Sequence, residues 1–404
     1  MFCFCALLII RLSKPREMFA ERTNWKFETN RLSEALTKRR ETGQPVLDLT
    51  ASNPTTCGFR YHAGAMLRAL SNPKALVYEP EPRGLVPARR AVVDYYASHG
   101  ARIAVDDIIL TTSTSEAYSF AFRVLCNPGD EILIPEPSYP LLDFLAGIQD
   151  VKLVPYPLIY DHGWQVDFHS LERAVSDRTR GVIVVHPNNP TGHFAKLNEI
   201  SKLNEICLDR KLAIVADEVF LDFALRETAP ATFAANAAAL TFTMSGISKI
   251  CGLPQMKAAW LVTSGPEDLK ARVLERLEII ADTFLSMNAP VQHALPVFLD
   301  QRHEFQAQLM GRVRKNLAEL DAQLESQKAC TRYEIEAGWY AVLRIPVTRS
   351  DEDFALFLLE SEGVYTHPGH FYDFSADGFL VVSLIAPEED FAAGIKLLLA
   401  TLAR

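Results

Sequence analysis

Val182-Ile183-Val184-Val185-His186-Pro187-Asn188-Asn189-Pro190-Thr191-Gly192 is the stretch whose reading decides how this chain folds. A continuous apolar run suits a strand buried on both faces, and a turn of Pro, Asn and Gly ends it. Leu212-Ala213-Ile214-Val215-Ala216-Asp217-Glu218 repeats the pattern, with carboxylates at its carboxyl end. In an open parallel sheet, ligands bind outside the carboxyl ends of the strands, which directs Asn189 and Asp217 toward one crevice.

A third segment joins them. The β-rich run Leu240-Thr241-Phe242-Thr243-Met244 precedes Gly246-Ile247-Ser248-Lys249-Ile250-Cys251-Gly252-Leu253-Pro254, and Ala259-Trp260-Leu261-Val262 follows. Small residues around Lys249 let backbone and ligand approach its amine closely, as a Schiff-base lysine requires. Taken singly, each residue has a plainer reading: a loop lysine, a turn asparagine, an aspartate capping a helix. Their order and spacing bring all three to one site.

Outward from this centre, strands are expected near 108–110, 130–135, 151–154, 183, 214, 241 and 260, with helices between most of them. Alternation of this kind predicts a parallel α/β sheet with helices on both faces. Helices are also expected at 30–42, 86–99 and 267–282. From about 297 the character changes: one long helix to about 327, then alternating antiparallel strands around 332–336 and 339–344. The expected organisation is an N-terminal segment (18–55) joining a small domain (295–404), with a large domain (56–294) between them.

The chain has 404 residues, enough for two such domains. With 49% hydrophobic and 23% charged residues it reads as a soluble globular protein. A net charge of −9 and no cluster of Lys or Arg give no support for nucleic-acid binding. Seven cysteines show no CxxC pair and no zinc spacing, which favours a reduced, cytoplasmic protein. The apolar run 1–10 lacks the charge order and cleavage site of a signal peptide and is too short to span a bilayer. Met18 offers an alternative start, so 1–17 is expected to be a mis-called or disordered extension.

These motifs together resemble the class I/II aminotransferases of the fold-type I pyridoxal-phosphate (PLP) enzymes. The resemblance runs from Asn53-Pro54 to Pro387-Glu388-Glu389, with Asn189-Pro190-Thr191-Gly192 and the lysine motif its most specific parts. It implies a mostly parallel seven-stranded sheet between helices plus a small α+β domain, with PLP as cofactor. It also implies roles for single residues. Lys249 would form the Schiff base and shuttle the substrate's proton. Asp217 would pair with the pyridine nitrogen, and Asn189 with the ring hydroxyl. Tyr139 would stack on the ring. Thr114 and Ser115, at a helix start after a strand, would hold the phosphate with Lys257. Tyr78 would reach the phosphate of a neighbouring subunit, which makes the active unit a homodimer.

Three departures stand out. Lys257 replaces an arginine and loses its bidentate fork. Phe220 replaces a tyrosine, and Val381 stands where relatives carry the arginine that clamps the substrate carboxylate. His367, His370 and Tyr372 are the nearby candidates for substrate contact. The function implied is transfer of an amino group from an amino donor to a 2-oxo acid, with no nucleic-acid or membrane partner and no metal. A β-lyase or racemase on the same fold, an aminotransferase of an amine lacking an α-carboxylate, and a PLP-dependent regulator remain as alternatives. The regulator reading has no room for a DNA-binding module ahead of the match.

Overall fold

A computed structural model describes residues 18–25, 30–139, 141–226 and 230–403. The reading of 1–17 as an extension falls outside the described residues.

The main sheet holds β1 (Ile108–Thr111), β2 (Glu131–Glu136), β3 (Lys152–Tyr160), β4 (Trp164–Val166), β5 (Thr179–Val185), β6 (Ala213–Asp217), β7 (Thr241–Gly246) and β8 (Ala259–Ser264). Their spatial order is β1-β8-β7-β6-β5-β2-β3-β4. Strands β7, β6, β5, β2 and β3 run parallel, and β8 is inserted antiparallel between β1 and β7. Seven strands form the sheet the motifs implied. The short β4 folds back antiparallel on β3 and extends it by one strand, a hairpin the sequence reading did not contain.

Side-chain alternation explains why the apolar runs are continuous. Ile183, Val185 and Val215 point into one cluster, with Phe120 and Ala121 of the helix Thr114–Leu125 and Leu277 of the helix Glu267–Phe284. Val182, Val184, Ile214 and Ala216 point into another, with Leu203 and Ile206 of the helix Leu197–Arg210. Both faces are covered, so no position on these strands needs to be polar.

A second, four-stranded antiparallel sheet is built from Thr331–Arg332, Tyr340–Arg344, Phe379–Ser383 and His367–Pro368. Its core joins Leu309 and Val313 of the helix Arg302–Glu325 to Phe391 and Ile395 of the helix Glu388–Leu402. The helix Arg31–Glu41, capped by the Asn30 side chain, packs Leu32 and Leu36 on Ala355 and Leu359. Leu47–Asp48 then pairs in parallel with Val364–Tyr365. The single helix expected from 297 is in fact two, Ala289–Asp300 and Arg302–Glu325, meeting at Gln301. The reason is packing: Phe298 and Leu299 belong to the core around Trp260, whereas Phe305 and Leu309 belong to the second sheet's core.

The two layers meet along a seam beside the Asn-Pro-Thr-Gly turn. Leu225 N–H donates to Glu336 O at 2.9 Å and Gly338 N–H to Phe223 O at 2.8 Å. Gly192 sits there at φ +72°, and a Cβ on it would lie 2.5 Å from the Ala337 carbonyl oxygen. Left-handed backbone costs an L-residue about 1–2 kcal/mol, and the clash adds to it. Gly192→Ala should therefore lower stability by about 2 kcal/mol or more. Urea unfolding measures this, and an unshifted midpoint would show that the seam yields.

Candidate active site

The carboxyl ends of β5, β6 and β7 open on one cavity of about 220 Å³. Register aligns them: Val185 pairs with Asp217, and Asp217 with Met244. Chain direction does the rest, because parallel neighbours end on the same side and their following loops crowd together. The turn after β5 brings Asn189, the end of β6 brings Asp217, and the short helix Ile247–Ile250 after β7 brings Lys249. Thr114, Ser115 and Tyr139 line the same cavity, so six of the expected site residues converge.

Asp217 Oδ2 accepts from the Tyr118 hydroxyl at 3.1 Å, and Oδ1 from the Val219 N–H at 3.2 Å. Burial nonetheless dominates and pushes the Asp217 carboxyl up to about 6, against the pull of these donors and of Lys249. Burial likewise pulls the Lys249 ammonium below its ordinary range, with Asp217 opposing. Lys249 Nζ lies 5.2 Å from the Trp339 ring centroid and 5.9 Å from that of Phe220, close enough for cation–π attraction when protonated. Asn189 is buried, and its Oδ1 has no hydrogen-bond partner among the described residues.

At the helix Thr114–Leu125 the capping oxygen comes from Ser113, which accepts from Glu116 N–H at 3.2 Å. The Glu116 carboxylate returns to the Thr112 N–H at 2.6 Å. With Ser113 doing the capping, Thr114 and Ser115 are left on the cavity wall at the positive end of the helix.

Other expected residues lie elsewhere in this chain. Lys257 is exposed, in left-handed backbone at φ 54°, and is not part of the cavity wall. Tyr78 is 75% exposed and borders a different cleft, near Met287 and Gln292. His370 is exposed against Phe371. Tyr372 is buried behind the wall, its ring 6.4 Å from Tyr340 and its hydroxyl 3.1 Å from His367 Nδ1. Val381 is buried in the second core; its register with Val342, two residues from the Tyr340–Ser383 pair, puts it on the same sheet face as Tyr340.

Among the wall residues that sequence reasoning missed are three with hydroxyls, Tyr118, Tyr340 and Ser52. Tyr118 carried a usable signal, since it lies four residues after Thr114 and thus on the same helix face. Ser52 and Tyr340 come from segments remote in sequence, and nothing local marks them.

The family model for class I and II aminotransferases matches residues 44–390, and the chain belongs to that family. Among its relatives is glutamate-pyruvate aminotransferase AlaA of Escherichia coli K12, 33% identical over 263 residues, a match spanning 64% of this chain and 64% of that protein. The protein of the same name from Haemophilus influenzae is 30% identical over 355 residues, covering 85% of this chain and 87% of the relative. In structure the chain is similar to an aminotransferase from Escherichia coli, with a TM-score of 0.86, 25% identity, and 96% and 99% of the two chains covered.

Proposed function

We propose that this chain is a PLP-dependent aminotransferase that moves an amino group from an amino donor to a 2-oxo acid. The observation that carries this reading is a half-buried lysine, a half-buried carboxylate and a buried amide with an unpartnered oxygen on one cavity wall at the strand ends. These residues fit the cofactor that the family implies. Asp217 is a carboxylate whose ionised form lacks a full cationic partner, which a pyridinium nitrogen would provide. The orphaned Asn189 amide suits a ring hydroxyl, and the start of the helix Thr114–Leu125 suits a phosphate. When bound, PLP supplies an electron sink for the charge left on the donor's carbon as its proton departs.

The chain's own residues would do the remainder. Lys249 Nζ would hold the cofactor and would carry the proton from the donor's carbon. Burial lowers its pKa, which favours the neutral amine that this task needs. Asp217 keeps the pyridine nitrogen protonated, and Tyr118 and the Val219 N–H hold the carboxylate in place. Tyr139, on the cavity wall, would cover the ring, and Phe220 and Trp339 would exclude water behind Lys249.

Tyr78, exposed and outside this cavity, would serve a neighbouring subunit, so the active unit would be a homodimer with shared sites. Lys257 would add charge near the phosphate from the loop edge. The division into a large domain (56–294) and a small one (295–404, joined by 18–55) suits a cavity walled by both sheets. Cys57, Cys126, Cys207, Cys251 and Cys330 are free, in keeping with a reduced cytoplasmic setting. Among the described residues no helix is long and apolar enough to cross a membrane.

The test is a half-reaction. Adding an amino donor to the PLP-loaded protein should release one equivalent of 2-oxo acid per site and change the cofactor absorbance, and a second 2-oxo acid should restore it. Release of pyruvate and ammonia with no acceptor present would assign the β-lyase activity instead.

A further inference from the structure

Lys249 stands on the one-turn helix Ile247–Ile250, which is too short to hold its own shape. Ile247 and Ile250 are buried in the core around Trp260, while Lys249 is on the cavity wall. Three local bonds close the turn. Cys251 and Leu253 N–H donate to Ile247 O at 3.2 and 3.1 Å, and Gly252 N–H donates to Lys249 O at 3.1 Å.

The carbonyls at the end of this turn are caught from outside it. The Tyr61 hydroxyl donates to Gly252 O at 2.9 Å, and Gln306 Nε2 donates to Ile250 O at 3.0 Å. Gln306 is on the helix Arg302–Glu325, whose Leu309 and Val313 lie in the second sheet's core. Tyr61 stacks on Phe305 of that helix, with ring centroids 5.5 Å apart and planes 15° apart, and so packs against both cores. Gly252 lies close under this pair: a Cβ on it would be 2.4 Å from Phe305 Cζ and 2.8 Å from the Tyr61 hydroxyl oxygen. Burial pushes the Tyr61 hydroxyl up to about 12, so it stays a donor across the neutral pH range.

The segment ahead of Tyr61 is itself tied to the second sheet. Ser383 N–H donates to Leu49 O at 2.6 Å, and its hydroxyl donates to Ala51 O at 2.7 Å. Ser52 follows, on the cavity wall with Tyr340 of that sheet. The layer that supplies this part of the wall thus also holds the carbonyls that follow the lysine.

We propose that Tyr61 and Gln306 are positioning residues that fix how the Lys249 amine is presented to the cavity. The inference rests on the transaminase reading and adds two residues to the same site. Both act through backbone carbonyls of the lysine's own turn and not on the reacting atoms. Proton carriage depends on such placement, since an error of about 1 Å in a reacting group can cost about 100-fold.

The test is Tyr61→Phe, which keeps the ring on Phe305 and removes only the donor. Tyr156→Phe is the matched control, because it deletes a hydroxyl that donates to the Ile183 carbonyl at 2.8 Å inside the main sheet. With alanine and glutamate as donors, kcat of PLP-loaded Tyr61→Phe should fall by about tenfold or more, with KM within about twofold of the wild type. The isotope effect on kcat from an α-deuterated donor should be at least as large as in the wild type. Gln306→Leu should act in the same direction, and Tyr156→Phe should leave kcat unchanged. A loss confined to KM, a smaller isotope effect, or an equal loss of kcat in Tyr156→Phe would overturn the proposal with transamination intact. Two readouts need no turnover. In the cofactor-free chain, amide hydrogen exchange at Cys251, Gly252 and Leu253 should speed up about tenfold in Tyr61→Phe. Added PLP should become borohydride-reducible onto Lys249 more slowly in that variant. Wild-type exchange or a wild-type trapping rate would sink the positioning role. If no donor released a 2-oxo acid, the transaminase reading would fail by itself, and these two readouts would decide the proposal.

Discussion

Replacing Lys249 with alanine should abolish covalent retention of PLP and reduce turnover by about 10⁴-fold or more, the upper range for a lost proton-transfer group. Among the described residues Lys249 is the only amine on the wall of the cavity, so none of them can substitute for it. Borohydride treatment followed by mass spectrometry should leave a cofactor-sized adduct on the wild type and none on the variant. The fold should survive, because Lys249 follows a strand whose core contacts come from Phe242 and Met244, not from the lysine. An adduct retained on the variant would falsify the assignment, because it would place the reactive amine elsewhere.

Asp217→Asn should bind PLP yet lose activity on the order of 10³-fold, as when a preorganised charge is removed from the place where charge develops. The amide has nearly the same shape: its oxygen can still accept from the Val219 N–H while its NH2 donates to the Tyr118 hydroxyl oxygen, so the loss would report charge and not geometry. Near-normal turnover would mean that Asp217 does not face the pyridine nitrogen. A second readout needs no cofactor. In the empty site the Asp217 carboxyl is raised from its ordinary 3.8 to about 6 by burial, so the folded chain binds a proton there that the unfolded chain has released. The stability tied to that proton is complete below about pH 4 and is lost as pH rises through 6. The cofactor-free asparagine variant should thus melt above the cofactor-free wild type at pH 7, with the gap closing toward pH 4. A gap that stayed constant with pH would argue against a buried, ionising Asp217.

Asp217, Asn189 and Lys249 were legible in the sequence because they depend on local rules. A buried parallel strand must be apolar along its whole length, and the polar residue that ends it is therefore conspicuous. Direction and register then carry three such ends to one edge of the sheet without further information, as the pairing of Val185 with Asp217 and of Asp217 with Met244 shows. Tyr118 lay within reach of the same reasoning, through helical spacing from Thr114. The helix break at Gln301 did not: the apolar pattern runs on through it, and only the change of packing partner from Trp260's core to the second sheet makes the turn.

What the sequence determined by itself is the order of strands and helices and the chemistry at the strand ends, since both follow from residue type and spacing within a few turns of chain. What only the tertiary structure decided is the remainder of the wall. Ser52, Tyr340 and the exposed face of Leu141 reach the cavity because the second sheet and the helix after β2 close over it. The same folding buries Tyr372 behind Tyr340 and leaves His370 and Lys257 outside. Those placements come from contacts between segments far apart in the chain, and no short-range pattern of side chains encodes a contact whose other half is hundreds of residues away.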